Sequence, residues 1–248
     1  MKGKVAVITG AKTGIGNATA HRFAAGGVKV VIADIEDAEA ETRDIAKGGA
    51  GALFVRCDVS KDSDVARLFE RTLQAFGRVD VLVNNAGVVK PGLIPDEPGA
   101  TWDWIIGTNL KGPFLCSRAA IPLMQRQGGG VIINIGSEYG LIGGARLAIY
   151  AASKGGLNML TKALAHDHAK DGIRVNCLVP GPVLTPLMEQ NIQAQPDPEA
   201  KRRQEIDSTL VGRFGTPAEI ANVIYFMATD EASFMTGSIV TVDGGVTA

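Results

Sequence analysis

The chain alternates between short, continuous apolar runs and longer stretches in which apolar residues recur at helical intervals. An uninterrupted apolar run is typical of a parallel strand buried on both faces of a sheet, and apolar positions three and four apart are typical of a helix with one buried face. The predicted strands cover 5–8, 28–33, 52–57, 79–83, 131–135, 173–179 and 237–243. The predicted helices cover 15–25, 36–47, 60–76, 101–127, 149–170 and a segment that starts at 216–217.

This alternation predicts the fold class. Strands separated by helices of this length indicate βαβ units with right-handed crossovers and one parallel sheet. No repeat, low-complexity segment or linker divides the chain. We therefore predict an α/β protein with a single Rossmann-like domain over residues 1–248. Ser60 is expected to cap the third helix, and Gly112-Pro113 to kink the fourth.

Residues 181–215 depart from the alternation. They contain four prolines and a charged patch at 199–207. An insertion of this length after a strand end is the usual place for a substrate lid. We predict a substrate-binding lid at about 182–215; the alternative is a surface excursion without a function.

Composition and charge exclude several classes of partner. The chain has 248 residues, of which 46% are hydrophobic, and a net charge of −1 at pH 7. No basic run is longer than 201–203, and no apolar stretch approaches the length of a membrane span. Cys57, Cys116 and Cys177 lack metal-ligand spacing and fit a reducing compartment. We therefore expect a cytoplasmic protein with no nucleic-acid or membrane partner.

A glycine-rich turn, T-G-A-K-T-G-I-G at 9–16, follows the first predicted strand. Its spacing is a variant of the dinucleotide fingerprint, and a strand before and a helix after fit a turn that holds a pyrophosphate at the helix N-terminus. Asp34 ends the second predicted strand, where a carboxylate can accept both ribose hydroxyls of NAD and repel the 2′-phosphate of NADP. Lys12 is the opposing observation, since a basic residue in the turn can hold that phosphate. On balance the turn predicts NAD rather than NADP.

Polar or small residues also follow the third and fourth predicted strands. Asp58 follows the third, and Asn84-Asn85-Ala86-Gly87 follows the fourth. The carboxyl edge of an open parallel sheet is the edge that binds ligands. Asp58 can accept a hydrogen bond from an adenine amino group, or can equally form a turn or cap a helix. The small residues at 86–87 allow an adenosine ribose to lie close to the backbone.

Tyr150 and Lys154 lie four residues apart in a predicted helix and share one face. A phenol has an ordinary pKa of about 10, and we expect the ammonium one turn away to lower the pKa of Tyr150. Ser137, at the end of the run 131–136, can hydrogen-bond an oxygen that gains or loses the tyrosine proton. The three residues predict chemistry on an alcohol/carbonyl pair. By itself, the Tyr–Lys pair also fits a half-buried phenol beside a surface lysine.

His166 and His168 are the only closely spaced candidates for metal ligands. Residues two apart on a helix point to different faces. No metal site is expected.

Taken together, these motifs resemble the short-chain dehydrogenase/reductase (SDR) family, in its compact single-domain, NAD(P)-dependent branch, over essentially the whole chain. The resemblance rests on the glycine turn, Asp58, residues 84–87, Asn109, Ser137, Tyr150 with Lys154, and Pro180-Gly181. It implies a doubly wound parallel sheet of about seven strands flanked by helices on both faces, and usually a homotetramer.

The resemblance also implies residue roles. Tyr150 would be the catalytic acid/base, Lys154 would lower its pKa and bind the nicotinamide ribose, and Ser137 would orient the substrate oxygen. Asn109 would complete a proton relay through water; it also precedes the predicted break at 112–113, where a freed backbone carbonyl can hold a water. The residues expected to contact the cofactor are Gly10, Thr13, Gly14, Ile15, Gly16, Asp34, Asp58, Val59, Asn85, Ala86, Gly87, Tyr150, Lys154, Pro180, Gly181, Val183 and Thr185.

We therefore predict an NAD-dependent oxidoreductase that transfers hydride reversibly between the cofactor and a small secondary alcohol or ketone. One alternative is an NADPH-dependent 3-oxoacyl-thioester reductase acting on acyl-carrier-protein substrates. A second alternative is a nucleotide-binding sensor without turnover.

Overall fold

The computed structural model describes residues 1–248 and contains one seven-stranded sheet. All neighbouring strands are parallel, in the order β3-β2-β1-β4-β5-β6-β7. The strands are β1 (Val5–Thr9), β2 (Lys29–Asp34), β3 (Ala52–Arg56), β4 (Val81–Asn84), β5 (Gly130–Ile135), β6 (Ile173–Pro180) and β7 (Ile239–Val242). The predicted doubly wound parallel sheet is confirmed.

Helices cover both faces of the sheet. They are α1 (Gly14–Ala25), α2 (Glu39–Lys47), α3 (Asp62–Phe76), α4 (Gly99–Ile106), α5 (Gly112–Arg126), α6 (Ala148–His168), α7 (Pro186–Gln193), α8 (Pro198–Asp207) and α9 (Pro217–Ala228). Helices α1, α2 and α9 contribute to the core on one face, and α3, α5 and α6 to the core on the other.

The strands are apolar throughout because each feeds both cores. In β1, Val5 and Val7 belong to one core, while Ala6 and Ile8 belong to the other. All four are fully buried, as the twofold alternation of side chains along a strand requires when both faces are covered.

The order of the strands positions the ligand edge. The chain moves outward from β1 to β3 and then returns to place β4 on the other side of β1. The loops after β1 and β4 therefore diverge above the sheet at its carboxyl edge, and such a switch point forms a crevice in open parallel sheets. The glycine turn and residues 85–87 lie on the two sides of that crevice.

Two helices begin later than the sequence predicts. Helix α2 begins at Glu39 rather than 36, because the Asp37 carboxylate accepts from the Glu39 amide and forms a turn there. Helix α3 begins at Asp62 with Lys61 as its cap, so the prediction for Ser60 is wrong. The Ser60 hydroxyl instead donates to the Asp58 carboxylate at 2.6 Å.

The predicted break at 112–113 is also wrong in detail. A π-helical segment, Gly107–Lys111, connects α4 to α5, and Pro113 lies in the first turn of α5. Proline is tolerated there because the first amides of a helix have no partner within it. The irregularity falls on the π-helical turn around Asn109, one turn earlier than predicted.

The excursion at 182–215 folds into α7 and α8 and is fastened at its base. Val183 and Gly215 form a short parallel bridge. The Gly215 amide donates to the Pro182 carbonyl at 2.9 Å, and the Leu184 amide donates to the Gly215 carbonyl at 3.0 Å. The two ends of the excursion are therefore held side by side.

Candidate functional site

The glycine turn after β1 packs directly against the loop after β4. A Cβ on Gly10 would lie 2.7 Å from the Ala86 Cα, and one on Gly16 would lie 2.3 Å from the Gly10 carbonyl oxygen. Gly10 and Gly14 also have positive φ values of 62° and 58°, which side-chain-bearing residues rarely adopt. Only glycine allows this close approach.

Hydrogen bonds hold the two loops together. The Asn85 side-chain amide donates to the carbonyls of Thr9 and Gly10 at 2.9 and 2.8 Å. The Thr9 hydroxyl accepts from the Asn85 and Ala86 amides. Sequence reasoning assigned Asn85 and Ala86 to the cofactor; the structure shows that they also fix the shape of the turn.

The N-terminus of α1 opens onto this turn without a side-chain cap. Thr13 occupies the cap position but accepts no hydrogen bond there, and the first turn, which includes Ile15, has no acidic residue. Unpartnered amides and the helix dipole favour an anion at such a terminus. Together with the glycine approach, this terminus fits the pyrophosphate of a dinucleotide.

Asp34 lies at the end of β2, beside the glycine turn. Its Oδ2 accepts from the Lys12 backbone amide at 3.0 Å, and its Oδ1 accepts from the Glu36 amide at 3.1 Å. The Lys12 ammonium donates to the Glu36 carboxylate at 2.6 Å. The acidic group is fixed by the backbone, and the basic group of the turn has a carboxylate partner.

Asp58 forms a turn after β3. Its Oδ1 accepts from both the amide and the hydroxyl of Ser60, at 3.0 and 2.6 Å, and Lys61 lies 3.3 Å from Oδ2. These contacts match the turn-forming alternative. The neighbouring Val59 is buried, and a Cβ on Gly112 would lie 2.7 Å from its side chain.

Ser137, Tyr150, Lys154 and Asn109 come from three elements that pack on one another. Ser137 follows β5, Tyr150 and Lys154 lie in the first two turns of α6, and Asn109 lies in the π-helical segment. A Cβ on Gly87 would lie 3.6 Å from the Lys154 ammonium and 3.5 Å from the Asn109 Oδ1. The structure brings these groups together at the carboxyl edge of β4 and β5.

Asn109 is fully buried and fully hydrogen-bonded. Its Oδ1 accepts from the Val88 amide and its Nδ2 donates to the Val88 carbonyl, each at 2.8 Å. Its Nδ2 also lies 3.2 Å from the Ser153 hydroxyl. The side chain therefore fixes the loop after β4 to α6.

Lys154 is buried and oriented by the backbone. Its ammonium donates to the Ile135 carbonyl at 2.8 Å and lies 5.7 Å from the centroid of the Tyr150 ring. Burial lowers the pKa of Lys154 from 10.5 to about 8, while the buried Cys177 thiol and Glu138 act in the opposite direction. At neutral pH the group is still mainly a cation.

The expectation that Lys154 lowers the pKa of Tyr150 is wrong for the protein by itself. Removal from water raises the pKa of the phenol well above its ordinary value. The ammonium, which donates to a backbone carbonyl, does not reverse the effect of burial. The Tyr150 side chain therefore keeps its proton at physiological pH.

The base of the excursion closes the site on the side of the glycine turn. Thr185 caps α7 by accepting from the Met188 amide at 3.1 Å, and a Cβ on Gly14 would lie 3.4 Å from the Thr185 side chain. Val183 is buried in the bridge to Gly215. After β6 and Pro180, Gly181 fits closely against residue 243, because a Cβ there would lie 2.6 Å from its carbonyl oxygen.

Sequence reasoning gave no role to Glu138, which directly follows Ser137. The carboxyl group is buried and accepts from the Ser137 hydroxyl at 2.8 Å. Its position immediately after a strand end, beside a predicted catalytic serine, was a signal that could have identified it. Burial of the residue could not be foreseen, because it depends on elements far away in sequence.

Two further findings concern metals and membranes. The side chains bring together no group of three or more histidine, cysteine or acidic residues suited to a metal ion. None of the helices combines the length and the apolar character that a membrane crossing requires.

Comparison with known proteins shows close similarity over the whole chain. A family described as enoyl-(acyl carrier protein) reductase matches residues 10–247. An uncharacterized oxidoreductase of Thermotoga maritima is 44% identical, with 100% of this chain and 98% of the relative aligned. The L-fucose dehydrogenase of Bos taurus is 39% identical, with 98% and 89% aligned. The 3-oxoacyl-(acyl-carrier-protein) reductase of Thermotoga maritima is 38% identical, with 99% and 98% aligned.

A solved structure is also similar to this chain over its whole length. A short-chain type dehydrogenase/reductase from Mycobacterium marinum superimposes with a TM-score of 0.92 at 36% identity. The superposition covers 100% of this chain and 96% of that one.

Proposed function

The chain belongs to the short-chain dehydrogenase/reductase family, and from that premise we propose that it is an NAD-dependent oxidoreductase acting on a secondary alcohol or its ketone. The observation that carries the proposal is a cluster at the switch-point edge of the sheet. Lys154 and Asn109 lie beside Gly87, the Tyr150 ring centroid lies 5.7 Å from the Lys154 ammonium, and Ser137 follows β5. Bound NAD supplies the hydride acceptor, and its reduced form supplies the hydride donor.

Tyr150 carries the proton of the reaction. In the direction of carbonyl reduction, the neutral phenol donates its proton to the substrate oxygen. In the direction of alcohol oxidation, the phenol must first ionise, so that direction is favoured by higher pH. Ser137 stabilises the charge on the substrate oxygen by a hydrogen bond.

Lys154 and Asn109 complete the arrangement. The Lys154 ammonium is held by Ile135 next to Gly87, where it can bind the ribose hydroxyls of the cofactor and favour the ionised phenol when Tyr150 loses its proton. Asn109 places the π-helical turn against α6. Backbone groups of π-helical turns are displaced from the regular ladder, which supports a water in the proton path at this point.

The contacts of Asp34 support NAD over NADP. The carboxylate is held at the end of β2, beside Glu36, so a 2′-phosphate would meet two acidic groups. The Lys12 ammonium, the opposing observation in the sequence, is paired with Glu36. Its charge is therefore less available to a phosphate.

The 3-oxoacyl-thioester reductase alternative keeps one specific support, the similarity to the thioester reductase of Thermotoga maritima. The same catalytic residues serve either substrate, so cofactor preference is the observation that separates the two. The sensor alternative is disfavoured because a protein without turnover has no need for Tyr150, Lys154 and Ser137 together with Asn109, which positions the turn beside them.

We also propose that residues 182–215 act as a substrate lid and that the protein is a cytoplasmic homotetramer. Leu184 and Leu187 at the start of the excursion are half-exposed, as expected of a wall that meets an apolar ligand. Phe114 and Met159 expose apolar surface on α5 and α6, which suits association with further copies. Light scattering in solution measures the assembly; a monomer would contradict it.

The test of the proposed function is Tyr150→Phe, with Tyr139→Phe as its matched control. The two rings lie edge to face with their centroids 6.4 Å apart. NAD-linked turnover is followed by absorbance of the reduced nicotinamide, with a panel of secondary alcohols, diols, sugar acids and hydroxysteroids. Loss of general acid/base catalysis should lower turnover of Tyr150→Phe by roughly 10²- to 10⁴-fold, with NAD binding retained. Turnover near the wild-type level would contradict the proposal.

A further inference from the structure

The hydroxyl group of Ser137 donates its proton in a hydrogen bond to a neighbouring carboxyl group. The Ser137 hydroxyl donates to Oε2 of Glu138 at 2.8 Å, while the Tyr139 backbone amide lies 3.3 Å from the Ser137 Oγ. A hydroxyl has one proton to donate and two lone pairs that accept. While Glu138 accepts that proton, Ser137 cannot donate it to a substrate oxygen.

Glu138 is enclosed by elements from distant parts of the chain. Only 6% of the residue is exposed. Glu205 faces it from α8 of the excursion, and Asp243 faces it from the end of β7. Both are themselves buried. The carboxyl group therefore lies near two further acidic groups, and each disfavours its ionised form.

The cations near this cluster are already engaged. The Lys201 ammonium pairs with Glu205 at 2.6 Å, one turn along α8. Lys154 donates to the Ile135 carbonyl from α6. The titratable phenols nearby are Tyr139, on the same turn, and Tyr150, on α6, and both have pKa values raised by burial. No cation donates a hydrogen bond to Glu138 itself.

The Glu138 carboxyl is therefore balanced between two states. Burial raises its pKa to about 7, with Glu205 and Asp243 adding to the rise and the Ser137 hydrogen bond opposing it. Both the neutral and the ionised form are populated near neutral pH. Tyr139, Tyr150 and Lys154 have pKa values of about 8 or higher.

The two forms direct the Ser137 hydroxyl differently. The ionised carboxylate has only acceptors, so it holds the Ser137 proton. The neutral carboxyl donates its own proton to the Ser137 Oγ, which then accepts from Glu138 and from the Tyr139 amide, and the Ser137 proton becomes free. A free proton is what the substrate oxygen requires as it gains negative charge during reduction.

We propose that Glu138 is a positioning residue that sets the direction of the Ser137 hydroxyl, so that carbonyl reduction proceeds through the protonated carboxyl. The inference rests on the proposed function, because it assigns Ser137 to the substrate oxygen. The inference adds a pH-dependent control of carbonyl reduction, to which the Glu205 carboxylate of the excursion contributes. The charge of Glu205 adds to the effect of burial and raises the pH at which the control operates.

The experiment measures the pH dependence of reduction for three proteins: wild type, Glu138→Gln and Glu205→Gln. NADH is supplied with cyclohexanone and butane-2,3-dione as probe carbonyls. For wild type, the maximal rate should fall by about tenfold between pH 6 and pH 8, as expected for loss of one proton near pH 7. For Glu138→Gln, whose amide does not titrate, the change over the same range should be less than about twofold. For Glu205→Gln, loss of a neighbouring negative charge should move the midpoint to lower pH.

An infrared titration provides a readout that does not depend on turnover. The C=O band of a protonated carboxylic acid should disappear with a midpoint near pH 7 in wild type and be missing in Glu138→Gln. A wild-type pH profile retained in Glu138→Gln, with turnover intact, would overturn the Glu138 proposal alone. Absence of any NAD-linked turnover in wild type would overturn this inference together with the proposed function.

Discussion

Lys12 and Asp34 are joined through the backbone amide of the lysine, which donates to Oδ2 of the aspartate at 3.0 Å. The lysine side chain leaves in another direction and pairs with Glu36 at 2.6 Å. One residue thus fixes the carboxylate expected to read the ribose while its own charge is directed to a different acid.

This arrangement predicts that two substitutions shift cofactor choice toward NADP, one by weakening NAD binding and the other by strengthening NADP binding. Asp34→Ala removes the acceptor for the ribose hydroxyls and should weaken NAD binding roughly ten- to hundredfold, as for loss of a hydrogen bond to a charged group. Glu36→Gln frees the Lys12 ammonium and should strengthen NADP binding. Parallel titrations with NAD and NADP measure both effects. Asp44→Asn is the control, since Asp44 is exposed and pairs only with Lys47; an equal effect there would refute the site.

The glycine turn predicts a sharp difference between two alanine substitutions. A Cβ on Gly16 would lie 2.3 Å from the Gly10 carbonyl oxygen, whereas a Cβ on Gly99 would meet no atom within 4 Å. Gly16→Ala should lower the free energy of unfolding by about 1–3 kcal/mol through overpacking and abolish NAD binding. Gly99→Ala should leave both nearly unchanged. Thermal unfolding and cofactor titration give the two readouts, and tight NAD binding by Gly16→Ala would count against the turn.

Lys154 predicts a pH-dependent contribution to stability. Its pKa is about 8 in the folded protein and 10.5 ordinarily, so between those values the unfolded chain binds more protons than the folded one. The contribution of this group to stability therefore rises with pH from about 8 to 10.5. The full rise is about 3 kcal/mol. The buried thiols Cys57 and Cys177 have raised pKa values and act in the opposite direction above pH 9.

The measurement that isolates Lys154 is the difference in unfolding free energy between wild type and Lys154→Met across this pH range. Wild type should gain on the variant as pH rises, because the variant keeps the thiols and lacks the ammonium. A difference that stays constant with pH would show that the buried amine does not titrate there. The variant should also lose turnover, since the cation at the site is gone.

The contacts of Asp80, at the edge of the sheet opposite the candidate site, predict that the stability of the protein falls in acid. Its carboxylate accepts from the Val5 amide at 2.9 Å and from two nitrogens of the Arg78 guanidinium at 2.8 and 2.6 Å. Burial by itself would raise the pKa of Asp80, but Arg78, the Val5 amide and Lys4 outweigh it and lower the pKa. Its stabilising effect is therefore complete above pH 3.8 and is lost as pH falls through the lowered pKa.

Asp80→Asn should cost about 1–3 kcal/mol at pH 7, and its deficit relative to wild type should shrink at pH 3 and below. Urea unfolding at the two pH values tests this. The exposed pair of Asp62 with Arg118 is the comparison, because exposed ion pairs contribute little. If Asp62→Asn destabilised the protein as much as Asp80→Asn, burial would not be the cause.

The sheet and the place of the site were readable from the sequence because both follow from local patterns. Continuous apolar runs specify strands buried on both faces, and the carboxyl ends of parallel strands must meet at one edge. Residues 85–87 and Ser137 follow β4 and β5, which are neighbouring strands in the structure, so both reach this edge. The position of Tyr150 and Lys154 on one helix face could be predicted from the helical repeat alone.

The features that could not be predicted from the sequence depend on packing between distant segments of the chain. The sign of the pKa shift of Tyr150 depends on how completely the surrounding elements exclude water. The π-helical turn around Asn109 differs from an α-helix by one hydrogen-bond step, which apolar spacing does not resolve. The burial of Glu138 requires α8 and the end of β7, far along the chain.

The two hydrogen bonds that join Pro182 and Leu184 to Gly215 hold the two ends of the excursion together at its base. Because the ends already meet, changing the length or sequence between them adds little closure entropy and leaves β6 and α9 in place. The excursion can thus differ in length and sequence while the strands that carry the rest of the candidate site keep their positions.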